Sequence, residues 1–158
     1  MFKQLLFLAL AVFFFSCDKQ ETDGEIAQRN ETQIVNYLET NNLKSKATRT
    51  ASGLYYIITD STNTGLAASK GRKISVIYKG KFLDNSIFDS TAVNSTPFRF
   101  DLGYGQVIKG WDEGIAFLKE GQSARLFIPS HLGYGRLGSG RIPANTPLQF
   151  DIKIADIQ

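Results

Sequence analysis

Short segments with an alternating apolar face, separated by glycine-containing turns, dominate the chain from Gly53 onward. Successive side chains of a strand point to opposite faces of a sheet, so each segment predicts a strand with one buried face. About five strands of this kind predict an antiparallel sheet with one face to cover. The predicted strands are residues 54–59, 73–82, 98–102, 124–128 and 148–154.

The element that this sheet covers is predicted to be a helix at residues 109–119. Trp111, Ile115 and Leu118 recur there at the spacing of one helical face. Gly121 follows where helices are normally terminated. One sheet curved around one short helix is an α+β arrangement.

A second helix is predicted to precede this domain, from Glu25 to about Thr40. Its apolar residues form a broken stripe, which fits packing either on the following domain or on a second copy of the chain. Residues 44–52 then have the composition of a polar linker. We therefore expect a tether and short helix over residues 17–50 and one domain over residues 51–158. The stripe consists of Ile26, Ala27, Ile34, Val35, Tyr37 and Leu38.

Residues 1–16 are predicted to be a signal peptide. Their run of eleven apolar residues ends at Phe15, which suits a secretory signal and is too short for a transmembrane helix of about 20 residues. Ser16, Cys17 and the polar residues after them resemble the lipobox of bacterial lipoproteins. This resemblance implies export and a lipid anchor on Cys17, in the cell envelope and facing the periplasm or the cell surface. The alternative is an incidental thiol, in an uncleaved signal anchor or beside an ordinary cleavage site.

Composition argues against several kinds of chemistry. The net charge is +3 with scattered basic residues, which disfavours nucleic acid as a partner. One cysteine and one histidine, His131, supply no metal-ligand cluster, so no metal and no cofactor are expected. No serine stands in a GxSxG context that would make His131 part of a hydrolase triad. Residues 133–138 match GxGxxG, but Pro143 and Pro147 prevent the helix that a dinucleotide site requires.

Aromatic residues are dense at predicted strand ends, at the helix start and in loops, with no acid–base machinery among them. Core is the commoner role for any single aromatic residue, but several beside a glycine loop indicate a lined pocket. They are Tyr78, Phe88, Phe98, Trp111, Tyr134 and Phe150.

The same residues belong to a series of separated blocks that begins with Val-Ile-Tyr-Lys-Gly at 76–80 and includes Val-Ile-Lys-Gly-Trp-Asp-Glu-Gly at 107–114. In content and order the series resembles the FK506-binding-protein family of peptidyl-prolyl cis-trans isomerases, over roughly residues 50–158. The remaining blocks are 87–90, 97–100, 121–122, 128–129, 134–135, 142–143 and 148–151.

The resemblance implies a half-open antiparallel sheet wrapped around one short helix, and rotation about Xaa-Pro bonds without a cofactor. It also implies proline-containing polypeptides as substrates and an FK506-like macrolide as a ligand. By the same resemblance, Trp111 forms the floor of the pocket and the backbone N–H of Ile108 holds a substrate carbonyl. The implied catalytic residues are Tyr78, Asp89, Trp111 and Tyr134. The implied substrate-binding residues are Phe88, Phe98, Val107, Ile108, Ile142 and Phe150.

Combined with the leader, this indicates a lipid-anchored isomerase that assists the folding of exported or envelope proteins. Similar lipoproteins are associated with gliding-motility machinery. One alternative is a non-catalytic chaperone module that binds proline-containing segments, and another is a structural lipoprotein. Two departures from the family pattern leave room for the chaperone: Asn94 replaces a frequent basic residue, and the loop between Gly135 and Pro143 is one residue short.

Overall fold

The computed structural model describes residues 20–61, 65–91 and 96–158. The predicted signal peptide at residues 1–16, the predicted lipidation site Cys17 and the family departure at Asn94 lie outside these ranges. The strands are β1 (Thr48–Arg49), β2 (Tyr55–Asp60), β3 (Lys73–Lys81), β4 (Ile87–Ser90), β5 (Phe98–Asp101), β6 (Ser123–Ile128) and β7 (Leu148–Ile157). The α-helices are α1 (Asp23–Thr40) and α2 (Lys109–Ile115). Within the described ranges, neither helix has the length and apolar composition needed to cross a bilayer.

All strand pairs in the sheet are antiparallel, in the order β1-β2-β6-β7-β3-β4, with β5 also on β3. Strands β4 and β5 share one edge of β3, because β5 pairs with its first residues and β4 with its last. Leu126 lies opposite Phe150, and Val76 lies opposite Ile154, so the alternating apolar residues meet on one face. The predicted α+β arrangement is confirmed.

Helix α2 lies against that apolar face and is shorter than the predicted 109–119. It ends at Ile115, because the N–H groups of Phe117 and Leu118 bond carbonyls three residues back in a tightened turn. Lys119 then forms a β-bridge with Ala67 instead of continuing the helix. Gly121, at φ 79°, therefore ends this turn rather than the helix.

Helix α1 packs on the opposite face of the sheet. Its fully buried Ile34 and Leu38 form a second apolar cluster with Tyr55, Ile57 and Phe127. The sequence did not decide what the apolar stripe of α1 packs against. In the structure it packs against the sheet of its own chain. The helix begins two residues earlier than predicted, because the side chain of Thr22 caps it in a reciprocal pair with Glu25.

The interpretation of residues 44–52 as a linker was wrong. They contain a 3-10 helix, Lys44–Lys46, and strand β1, which pairs with β2. Strand β4 was also missed, so the described residues form a sheet of seven strands rather than about five. Both missed strands are short and mostly exposed, so they carry no alternating apolar signal.

Candidate active site

A cavity of about 430 Å³ opens between the start of α2 and the apolar face of the sheet. Its walls come from β3, β4, β5, β7 and from the loops before α2 and after β6. The lining residues are Tyr78, Asp89, Phe98, Gln106, Val107, Ile108, Trp111, Tyr134 and Phe150. Most are apolar or aromatic, which is typical of a ligand-binding cavity.

Trp111 is the centre of the aromatic packing. It is only 4 % exposed, and its ring meets those of Tyr78 and Phe150 nearly edge-on at centroid distances of 5.0 and 5.3 Å. Phe98 packs edge-on at 6.1 Å and is 42 % exposed, so it forms the rim. The indole N–H of Trp111 is buried and has no acceptor among the described residues.

The polar side of the cavity is a pair formed by Tyr78 and Asp89. Tyr78 lies on β3 between the stretches that pair with β5 and β4, and its hydroxyl donates to Asp89 Oδ2 at 2.6 Å. Burial, together with the neighbouring Asp89 carboxylate, raises the pKa of Tyr78 well above its ordinary value. The pKa of Tyr134 is raised by the same two causes. Both tyrosines therefore stay protonated and can act as neutral hydrogen-bond donors.

Gly80 makes room for two of the aromatic rings. A Cβ at this position would lie 2.7 Å from Phe88 and 2.9 Å from Phe150, well inside ordinary contact distance. The rings of Phe88 and Phe150 also meet edge-on at 5.5 Å. A side chain at Gly80 would push these rings aside, so a glycine here allows Phe88 and Phe150 to pack together.

The loop before α2 is held by Asp112 on the first turn of that helix. Its two carboxylate oxygens accept the N–H groups of Gly103 and Gly105 at 2.9 and 3.1 Å. This anchor fixes the segment that carries Val107 and Ile108 into the cavity wall. Ile108 is the N-cap of α2, and its N–H has no acceptor within the described ranges. A free backbone donor therefore stands at the cavity edge.

The structure brings eight of the ten predicted site residues together around this cavity. The other two, Phe88 and Ile142, line an adjoining pocket of about 190 Å³ that shares Asp89 and Tyr134 with it. Sequence reasoning missed Gln106, which lines the cavity and bonds the backbone N–H of Asp101. It also missed the anchoring role of Asp112, for which the glycines at 103 and 105 were the available signal.

The residues that line the cavity include no serine, cysteine or histidine. Within the described residues, no cluster of three or more histidine, cysteine or acidic side chains could hold a metal ion. His131 is exposed, and its ring bonds the backbone oxygen of Ser52. What the arrangement offers is an aromatic cavity with neutral hydrogen-bond donors at its edge.

Together, the fold and the cavity define an α+β protein with an aromatic ligand-binding site at the start of its short helix. The chain belongs to the FKBP-type peptidyl-prolyl cis-trans isomerase family, whose sequence profile matches residues 65–155.

Similar proteins and a similar solved structure carry names from the same family. The chain is 39% identical over 132 residues to a Neisseria meningitidis protein described as a probable FKBP-type peptidyl-prolyl cis-trans isomerase FkpA, covering 83% of this chain and 47% of that one. It is 47% identical over 95 residues to FK506-binding protein 2 of Kluyveromyces lactis, covering 59% of this chain and 68% of that one. The crystal structure of FkpA from Escherichia coli superposes with a TM-score of 0.72 at 31% identity, covering 85% of this chain and 62% of that one. The chain thus spans about half the length of the Neisseria relative.

Proposed function

We propose that this chain catalyses cis–trans rotation about Xaa-Pro bonds in polypeptides. One observation carries the proposal: in a chain of this family, the cavity floored by Trp111 combines aromatic walls with hydrogen-bond donors at its edge. The donors are the free N–H of Ile108 and the protonated hydroxyl of Tyr134.

The physics of the reaction suits such a site. Resonance keeps the amide planar and polar, and the barrier to rotation is about 18–20 kcal/mol. Twisting the bond removes the resonance and much of the charge separation, so a dry aromatic cavity favours the twisted form over the planar one. No proton or electron has to move. A site without a triad, a metal or a carboxylate pair is therefore sufficient.

Individual roles follow from position. The proline ring would pack against the aromatic rings of Trp111 and Phe150, which meet edge-on in the cavity wall. The N–H of Ile108 would hold a substrate carbonyl, and the hydroxyl of Tyr134 would bond the peptide backbone. Asp89 would orient Tyr78 through their 2.6 Å hydrogen bond and add negative potential beside the twisting amide.

A protease-coupled assay on a Leu-Pro peptide tests the proposal with the full-length chain. We expect Trp111→Ala to lower kcat/KM by at least tenfold and Tyr134→Phe to lower it several-fold, since loss of one hydrogen bond costs about 1 kcal/mol. Tyr104→Phe is the matched control, because Tyr104 is 65 % exposed and lies outside the cavity lining. Unchanged kcat/KM in both cavity variants would contradict the pocket assignment.

The competing function is a chaperone module that binds proline-containing segments without turning them over. Aromatic walls and edge donors can also bind a proline in its ground state, which is the observation behind this alternative. The two functions differ in the rate of isomerisation. A chain that binds the peptide and leaves it to isomerise at the uncatalysed rate would be such a module.

We also propose that the protein is a lipoprotein of the cell envelope, anchored through Cys17 and facing the periplasm or the cell surface. The apolar leader and the residues at 16 and 17 support this, as does the polar segment after them. Its clients would be exported or envelope proteins, and its resemblance to similar lipoproteins would associate it with gliding-motility machinery. Mass spectrometry of the protein from its membrane should show a diacylated Cys17 as the N-terminus. Free Cys17 or an intact Met1 would refute the anchor, and Cys17→Ser is the control that cannot be lipidated.

The proposal extends to an FK506-like macrolide as a ligand of the same cavity. A macrolide that fills the space over Trp111 should inhibit turnover competitively with the peptide. Inhibition that does not weaken as the peptide concentration rises would contradict this shared site.

A further inference from the structure

Helix α1 carries one buried polar side chain, Asn30, in the middle of its apolar face. Asn30 is fully buried and sits at the four-residue spacing of Ile26, Ile34 and Leu38, where an apolar residue would be expected. Asparagine is a poor helix former and is rarely fully buried. Its presence here calls for partners that an apolar side chain could not provide.

Both ends of the Asn30 amide have such partners, far away in the sequence. Oδ1 accepts the backbone N–H of Ser130 at 2.7 Å, and Nδ2 donates to the backbone oxygen of Asn145 at 3.0 Å. Leaving a buried donor or acceptor without a partner costs about 1–3 kcal/mol, so the loss of either of these two hydrogen bonds would be unfavourable. The amide joins α1 to two points that lie 100 and 115 residues away.

These two points enclose the loop that supplies Tyr134 and Ile142 to the site. Inside the loop, the N–H of Gly135 donates to the oxygen of Ser130, and the N–H of Asn145 donates to the oxygen of Gly135, both at 2.8 Å. Ser130, Gly135 and Asn145 are thus tied to one another as well as to Asn30. The residue directly before Gly135 is Tyr134.

The loop contacts α1 a second time through Arg136. Its guanidinium donates to Asp23 Oδ1 and to the backbone oxygen of Glu21, both at 2.8 Å. Asp23 is largely exposed, so this pair contributes little by itself. It nevertheless shows that the loop follows α1 along more than one turn of the helix.

We propose that Asn30 is a positioning residue for the isomerase site, through which α1 holds the loop of Tyr134 and Ile142 in its binding conformation. The inference rests on the proposed function and assigns to α1 a part in it. When only a fraction of molecules has the loop in place, the apparent dissociation constant of the substrate rises by the inverse of that fraction. Loss of the amide should therefore act mainly on KM.

The test compares Asn30→Ala with two controls in the full-length chain. Asn36→Ala removes an exposed amide from the same helix, and Ile34→Val loosens the packing of α1 without touching the hydrogen bonds. We expect Asn30→Ala to raise KM for a Leu-Pro peptide about fivefold or more, with kcat changed less than twofold. Asn36→Ala should leave both constants unchanged. Ile34→Val should lower Tm while leaving KM within twofold of the wild type.

Amide hydrogen exchange supplies a second measurement that does not depend on catalysis. In the wild type, the N–H groups of Ser130 and Gly135 should be protected, and in Asn30→Ala the exchange of both should accelerate at least tenfold. Asn30→Asp keeps the acceptor for Ser130 but places a second acceptor oxygen against the carbonyl of Asn145, so Ser130 should stay protected while KM still rises. Unprotected Ser130 in the wild type would overturn the proposal, even if no Asn30 variant folds.

Accelerated exchange in Asn30→Ala with KM unchanged would also overturn it, since the loop would then be loosened without effect on the site. A fall in kcat alone would do the same. If the wild type proves inactive, the proposed catalysis fails separately. The dissociation constant of the peptide then replaces KM, and the same fivefold weakening is expected in Asn30→Ala.

Discussion

Replacing Gly110 with alanine should dislodge α2 from the sheet. A Cβ added at Gly110 would lie 2.5 Å from Cγ2 and 2.9 Å from Cδ1 of Ile128, whereas ordinary contact begins at 3.4 Å. Ile128 is fully buried and cannot turn away. Either the helix or the strand must therefore move, and Trp111 is the next residue along the helix.

The expected cost follows from two opposing effects. Overpacking a core costs about 1–3 kcal/mol, whereas alanine in place of glycine favours a helix by about 0.5–1 kcal/mol. The free energy of unfolding should fall by about 1–2 kcal/mol, which lowers Tm by about 2–8 °C for a chain of this size. A displacement of about 1 Å at a catalytic group can cost up to 100-fold in rate. We expect kcat/KM to fall at least tenfold.

Thermal unfolding and the peptide assay on Gly110→Ala measure these two effects. Gly24→Ala is the matched control, because a Cβ at Gly24 in α1 meets nothing nearer than the hydroxyl of Thr22 at 4.0 Å. Its Tm should be unchanged or slightly higher. Wild-type Tm and kcat/KM in Gly110→Ala would refute the close packing of α2 on β6. A lower Tm with wild-type kcat/KM would show that the exact placement of Trp111 does not matter.

Two further predictions concern charged partners. Tyr78→Phe removes the hydrogen-bond donor to Asp89, and we expect kcat/KM on a Leu-Pro peptide to fall about three- to tenfold. A change of less than twofold would show that this hydrogen bond does not contribute to the activity. Burial raises the pKa of Asp151, but hydrogen bonds from Lys81 and Arg125 outweigh it and hold this pKa below its ordinary value. The pairing therefore stabilises the fold above the unfolded-state pKa near 3.8 and is lost as the pH falls through the lower folded-state value. In urea titrations at pH 7, the free energy of unfolding of Asp151→Asn should be about 1–2 kcal/mol lower than that of the wild type. This difference should shrink below about pH 4. A difference that does not change with pH would contradict the prediction.

The parts of the fold that sequence reasoning predicted are those with a strong periodic signal. Ile74, Val76 and Tyr78 alternate because one side of β3 faces the core, and that alternation is visible without a structure. The cavity was predicted through its aromatic residues and their resemblance to a family. Both rest on local patterns that survive in a single sequence.

The parts that were missed depend on contacts between distant residues. Strand β1 exists because Thr48 and Arg49 pair with β2, not because its side chains alternate. The turn that ends α2 is followed by a bridge between Lys119 and Ala67, a long-range pairing that no local pattern shows. The role of Asn30 has no local sequence signal, because its partners Ser130 and Asn145 become neighbours only in the folded chain.

The most direct test of the central claim is an NMR exchange measurement on a Leu-Pro peptide with the full-length chain. Uncatalysed isomerisation takes tens of seconds at 25 °C. We predict that wild-type protein, added at a few per cent of the molar concentration of the peptide, raises the cis–trans exchange rate to about one per second or faster. Trp111→Ala should abolish most of this acceleration. Peptide that binds the wild type yet exchanges at its uncatalysed rate would contradict the account.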